Sequence, residues 1–133
     1  MTKPQNITVS LEWARALRDK GYPQDESVFV WVQYMAPEYE EWEVWLRTQL
    51  EDEPSVPVEL LAAPTSAEIE LPSALRRTST WLTIQHQWNG KWYVEYIPDD
   101  GEPGAPTYGP FFADTMQDAM AAMWCHLRDN KLI

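Results

Sequence analysis

The side chains that could do chemistry in this chain are mostly aromatic and acidic. Eight tryptophans, Trp13, Trp31, Trp42, Trp45, Trp81, Trp88, Trp92 and Trp124, and six tyrosines are more rings than the core of a 133-residue chain consumes. Core packing absorbs about half of the tryptophans, each burying roughly 150–250 Å², and the remainder are expected at a recognition surface. Exposed rings stack on a purine or nicotinamide face, worth roughly 1–3 kcal/mol per base, and a nearby cation can hold a phosphate. Arg76, Arg77 and Lys91 are the candidate cations. The pocket expected on this basis is lined by Trp45, Arg76, Arg77, Trp81, Trp92 and Tyr96, and takes a small nucleotide-like molecule, with the interface of a homo-oligomer as one place to build it.

The carboxylates offer a different chemistry. Glu38, Glu40, Glu41 and Glu43 form a run that reads either as a solvated strand edge opposing sheet-to-sheet pairing or as a patch for a basic protein surface, DNA mimicry included. Acid–base catalysis is not singled out, because 21 Asp and Glu supply many arbitrary pairs. Cys125 and His126 are adjacent, so on a helix they point about 100° apart and cannot act together as nucleophile and base. His86, His126 and Cys125 lack a metal-ligand spacing, and the glycines of GEPGAPTYG lack a phosphate-loop pattern. The expectation is a binding protein without catalytic residues, metal or cofactor.

Charge narrows the partners. Ten Lys and Arg against 21 Asp and Glu leave a formal net charge of −11, which repels a polyanion and excludes a phosphate-tracking nucleic-acid binder. Residues 37–53 carry seven acidic side chains against Arg47 alone. The single cysteine cannot form an intramolecular disulfide. Neither a signal segment nor an 18-residue apolar span is present, so the chain is expected to be cytoplasmic and without a membrane partner.

These residues need elements to hold them. Ser10 caps a helix over 11–20, with Leu11, Ala14 and Leu17 at helical spacing before Gly21 and Pro23. VFVWVQYM, residues 28–35, is apolar on both alternations and suits a strand covered on both faces, which makes Phe29 and Trp31 core. Residues 42–46 fit a strand or a helix nearly equally. Residues 54–64 are proline-rich and extended, and the capping box Thr65–Glu68 predicts a short helix over 66–71. Asn89-Gly90 predicts a hairpin with a two-residue turn, opposing His86 to Tyr93 and setting Trp81, Trp92, Val94 and Tyr96 on one face. Residues 98–110 read as a loop, and Asp114 as the cap of a helix over 115–129 closed by Asn130, with its methionines in the core. The order predicts one α+β domain over 1–133, a small, mainly antiparallel sheet flanked by N-terminal, short central and C-terminal helices.

The run SLEWARALRDKGYPQ, then APTSAEIELP before a Trp-rich hairpin, then DTMQDAMAAMWCHLRDNKLI, resembles small uncharacterised proteins of tailed bacteriophages and prophages. In that group a Ser-Leu-Glu helix ending in Gly-Tyr/Phe-Pro-Gln, an Ala-Pro-Thr-x-x-Glu segment and a terminal Ala-rich helix recur in this order. The acidic EYEEWEVW block departs from the group's pattern. The resemblance brings no catalytic residue. It implies the cytoplasm of an infected bacterium, where such proteins disable host factors or sequester nucleotide-derived immune signals in counter-defence.

Overall fold

The computed structural model describes residues 6–33, 42–51, 59–75, 78–98 and 107–133. It has the α+β class read from the sequence, with every paired strand antiparallel, but the strands divide between a three-stranded and a four-stranded sheet. The chain forms two compact units, Met1–Glu68 and Ile69–Ile133.

In the first unit, helix α1 spans Leu11–Asp19 and is capped by Ser10, whose Oγ accepts from the Trp13 amide at 3.4 Å. Ala14 and Leu17 are its buried residues. Strands β1 (Phe29–Gln33), β2 (Glu43–Leu46) and β3 (Glu59–Ala62) pair in the order β2-β1-β3. Helix α1 docks on this sheet, and the Arg18 guanidinium reaches Glu59 at 2.6 Å.

Strand β1 is not covered equally on its two faces. Val30 and Val32 are buried, whereas Phe29, Trp31 and Gln33 are half-buried. Trp31 lies between Leu61 and Val44 and donates from Nε1 to the Val9 carbonyl at 3.0 Å. Its indole N–H needs an acceptor, which keeps the ring at the border of the core.

Residues 42–51 are both strand and helix, which explains the mixed periodicity. Helix α2, Arg47–Glu51, follows β2 directly, and Gln49 Oε1 accepts from the Leu46 amide at 2.8 Å. Arg47 fixes this corner. Its Nε donates to Ser27 O at 2.8 Å and its Nη2 to Gln24 O at 2.6 Å and Ser27 Oγ at 3.0 Å.

The short helix expected over 66–71 does not form. Residues 66–68 are turns, and the short central helix of the fold is α2. The capping-box contact itself is made, the Thr65 amide donating to Glu68 Oε1 at 3.0 Å. The other oxygen of Glu68 accepts from Val28 N at 3.0 Å, and the Pro64 carbonyl from Val9 N at 3.0 Å. These tertiary bonds hold the segment as a turn, and Pro72 leaves too little chain to propagate a helix.

In the second unit, β4 (Ala74–Leu75), β5 (Thr80–His86), β6 (Trp92–Pro98) and β7 (Tyr108–Ala113) pair in sequence order, and helix α3 spans Met116–Asp129. The hairpin is displaced by one residue from its expected register. His86 opposes Trp92, Gln85 opposes Tyr93, and Trp81 opposes Ile97. Its loop has three residues, Trp88, Asn89 and Gly90, closed by Gln87 N to Lys91 O at 2.8 Å and by Gly90 N to Gln87 O at 2.9 Å. The type I′ turn expected of Asn89-Gly90 requires positive φ at both centres, but only Gly90 has it, at +86°. Asn89 instead uses Oδ1 to accept from Lys91 N at 3.0 Å.

Strand β7 begins inside the segment read as a loop. Gly109, at φ +91°, sits where the β6–β7 register shifts, and a Cβ there would lie 2.8 Å from the Val94 carbonyl oxygen and 3.3 Å from Met123 Cε. The cap of α3 is Thr115, whose side chain accepts from Asp118 N at 3.3 Å. Asp114 forms an ion pair with Lys91 instead. Ala119, Met120, Met123 and Leu127 are buried, as is Cys125.

Candidate functional site

Residues opposed across an antiparallel pair lie on the same face, so the register of the four-stranded sheet sorts its side chains into two sets. Leu82, Ile84, His86, Trp92, Val94, Tyr96 and Phe111 share one face. Helix α3 covers it, with the His126 ring 5.1 Å from Phe111 and 6.0 Å from Tyr108. Val94 and Tyr96 are fully buried there.

The other face carries Trp81, Thr83 and Gln85 from β5, Tyr93, Glu95 and Ile97 from β6, and Phe112 from β7. Trp81 is 50% exposed, Ile97 38% and Phe112 56%. Tyr93 and Phe112 make a tilted ring pair with centroids 5.8 Å apart. The hairpin tip adds Trp88, 99% exposed. Large apolar side chains scattered singly over a surface are ordinary, but here three lie on one sheet face with a half-buried tyrosine among them. The strand pairing sets the spacing of these side chains.

The residues expected to line a ligand pocket do not share one surface. Trp81 is on the open face, and Trp92 and Tyr96 are on the face beneath α3, because the three-residue loop shifts the register and reverses the relation between β5 and β6. Trp92 stacks on His86 at 4.4 Å and 5°. Tyr96 is buried and its hydroxyl donates to the Pro72 carbonyl at 2.6 Å, while burial pushes its pKa up to about 12. Its ring and its hydroxyl are both engaged within the second unit. Trp45 belongs to the first unit, where its Nε1 donates to Glu43 Oε2 at 2.9 Å. Arg76 and Arg77 lie outside the described residues.

The acidic run divides similarly. Glu43 is exposed at the start of β2, and Glu38, Glu40 and Glu41 lie outside the described residues, as do Tyr34 and Tyr39. Lys91, the third candidate cation, is engaged by Asp114.

Sequence reasoning missed Tyr93, Glu95, Ile97 and Phe112 as surface residues. The glycines and prolines of residues 98–110 hid the start of β7, although the adjacent aromatics Phe111 and Phe112 favour a strand. Among the described residues no group of three His, Cys, Asp or Glu could hold a metal ion, and no helix is long and apolar enough to cross a membrane. Compared with family models, curated proteins and solved structures, the chain matches none.

Proposed function

We propose that this protein is a non-catalytic interaction module that occupies a partner protein through the open face of its four-stranded sheet. The observation that carries this reading is the exposure of Trp81, Ile97 and Phe112 together on one face of a hydrogen-bonded sheet. Aromatic side chains give large contact area at low entropic cost, and binding hot spots are enriched in them. The acidic balance directs the module toward basic partner surfaces and away from nucleic acid. In the setting implied by the sequence resemblance, the partner is a host protein of an infected bacterium.

A nucleotide-derived ligand, the other expectation from the sequence, has less support. Of the three ring residues assigned to it in the second unit, only Trp81 presents an open ring on the free face; Trp92 is stacked and Tyr96 buried.

The test compares wild type with the double variant Trp81→Thr/Phe112→Thr, which keeps strand propensity while removing both rings. Each is immobilised and exposed to host lysate, and any retained protein is purified and titrated against both. The expected result is a defined complex with the wild type, weakened at least tenfold by the variant, with melting midpoints alike. Equal affinity for the two would remove the open face as the interaction surface.

A further inference from the structure

We propose that the open face holds a cationic side chain, an arginine of a partner polypeptide, with Glu95 as its counter-ion and the rings of Trp81 and Tyr93 as its walls. This rests on the reading of that face as an interaction surface and adds the chemistry it recognises.

The register places Glu95 in the middle of the face. Its cross-strand partner is Thr83, its neighbours two residues away along β6 are Tyr93 and Ile97, and Trp81 and Gln85 are its diagonal neighbours on β5. Opposed residues have Cβ atoms about 5 Å apart and diagonal ones about 7–8 Å, within reach of aromatic side chains. Phe112 extends the wall behind Tyr93, which it opposes on β7.

Glu95 is half-buried, and among the described residues its carboxylate has no hydrogen-bond or ion-pair partner. A half-buried carboxylate loses part of its hydration, and covering it with an uncharged surface would strand the charge. A cation removes that penalty. The negative faces of indole and phenol rings attract the same cation, most strongly when water is excluded. Arginine fits better than lysine, because its planar guanidinium can stack on a ring while its forked N–H groups meet both carboxylate oxygens. The formal net charge of −11 draws cationic partners and repels anionic ones before contact.

The whole chain, ¹⁵N-labelled, is titrated by NMR with the peptide acetyl-Gly-Gly-Arg-Gly-Gly-amide and with versions carrying lysine or citrulline in place of arginine. The Trp81 indole signal is assigned with Trp81→Phe. The arginine peptide is expected to shift the Trp81 indole and the Glu95 amide in a saturable, salt-sensitive way, and the lysine peptide to bind more weakly. Citrulline, isosteric but uncharged, should leave both signals in place. Glu95→Gln should weaken the arginine peptide about threefold, the scale of one partly exposed ion pair. Glu95 makes no described polar contact, so this variant should melt with wild type. Equal shifts with citrulline, or affinity unchanged by Glu95→Gln, would overturn the cation site. If the arginine peptide does nothing while Trp81→Thr/Phe112→Thr still loses its protein partner, the cation site fails and the interaction face stands. If that double variant keeps its partner, the interaction face itself fails.

Discussion

The two units treat their tryptophans differently. In the first, Trp31 donates to the Val9 carbonyl, Trp45 donates to Glu43, and the Trp42 ring lies 5.4 Å from the Arg15 guanidinium. In the second, Trp81 and Trp88 have no hydrogen bond, ion pair or ring contact among the described residues and stand at least half exposed. Trp124, in the same unit, is a buried residue of α3 itself. A tryptophan whose ring and N–H are both answered by the protein is part of the fold, whereas Trp81 and Trp88 stand open to solvent.

The division is broken most severely through Trp31. Trp31→Ala should lower unfolding stability by about 3 kcal/mol, since the ring packs between Leu61 and Val44 and satisfies a carbonyl, while Trp88→Ala should change it by less than about 0.5 kcal/mol. Urea melts of the two variants measure the contrast. Similar losses would show that exposure does not separate structural from surface rings here.

The two faces of the second sheet are contrasted by Tyr96. Its hydroxyl is held at about 12 by burial, above the ordinary value of a free tyrosine. The contribution is complete below about pH 10, where the hydroxyl is neutral in both states. As pH rises from about 10 to 12 the unfolded chain ionises first, and roughly 2 kcal/mol should be lost. Tyr96→Phe should flatten that part of the pH profile while costing about 1 kcal/mol at neutral pH for the stranded Pro72 carbonyl.

Smaller again is the hairpin loop. Gly90 has open space around it, so Gly90→Val meets no clash, only the strain of φ +86°. A loss of about 1 kcal/mol or more is expected in denaturant melts, because a β-branched residue is disfavoured in that region. The smallest effect on stability belongs to the acidic run. Changing Glu38, Glu40, Glu41 and Glu43 to Gln should leave the melt within about 0.5 kcal/mol while slowing association with a basic partner and weakening its salt dependence, read by stopped-flow.

Local rules carried much of the architecture. Ser10 before an amphipathic run and Asn130 after one marked both long helices, and the strand-forming residues either side of Asn89-Gly90 marked the hairpin. Two tertiary effects were not legible. Whether Asn-Gly closes a two- or a three-residue loop depends on which partner the strands choose, and that one-residue difference moved Trp81 away from Trp92 and Tyr96. The Thr65–Glu68 box makes its local bonds, but Glu68 also caps the Val28 amide, a partner 40 residues away in sequence. The candidate surface was half visible, since an excess of aromatics announces one, but its members follow from the register and from a strand hidden behind Gly109 and Pro110.

The central claim is that the open face of the four-stranded sheet binds a partner protein and is dispensable to the fold. Native mass spectrometry of the protein drawn directly from the cells that express it tests it most directly, with wild type and Trp81→Thr/Phe112→Thr side by side. The expected spectrum shows wild type bound to a second polypeptide and the variant alone at an unchanged charge-state distribution. A small mass increment of nucleotide size on both proteins, or the same polypeptide on both, would contradict it.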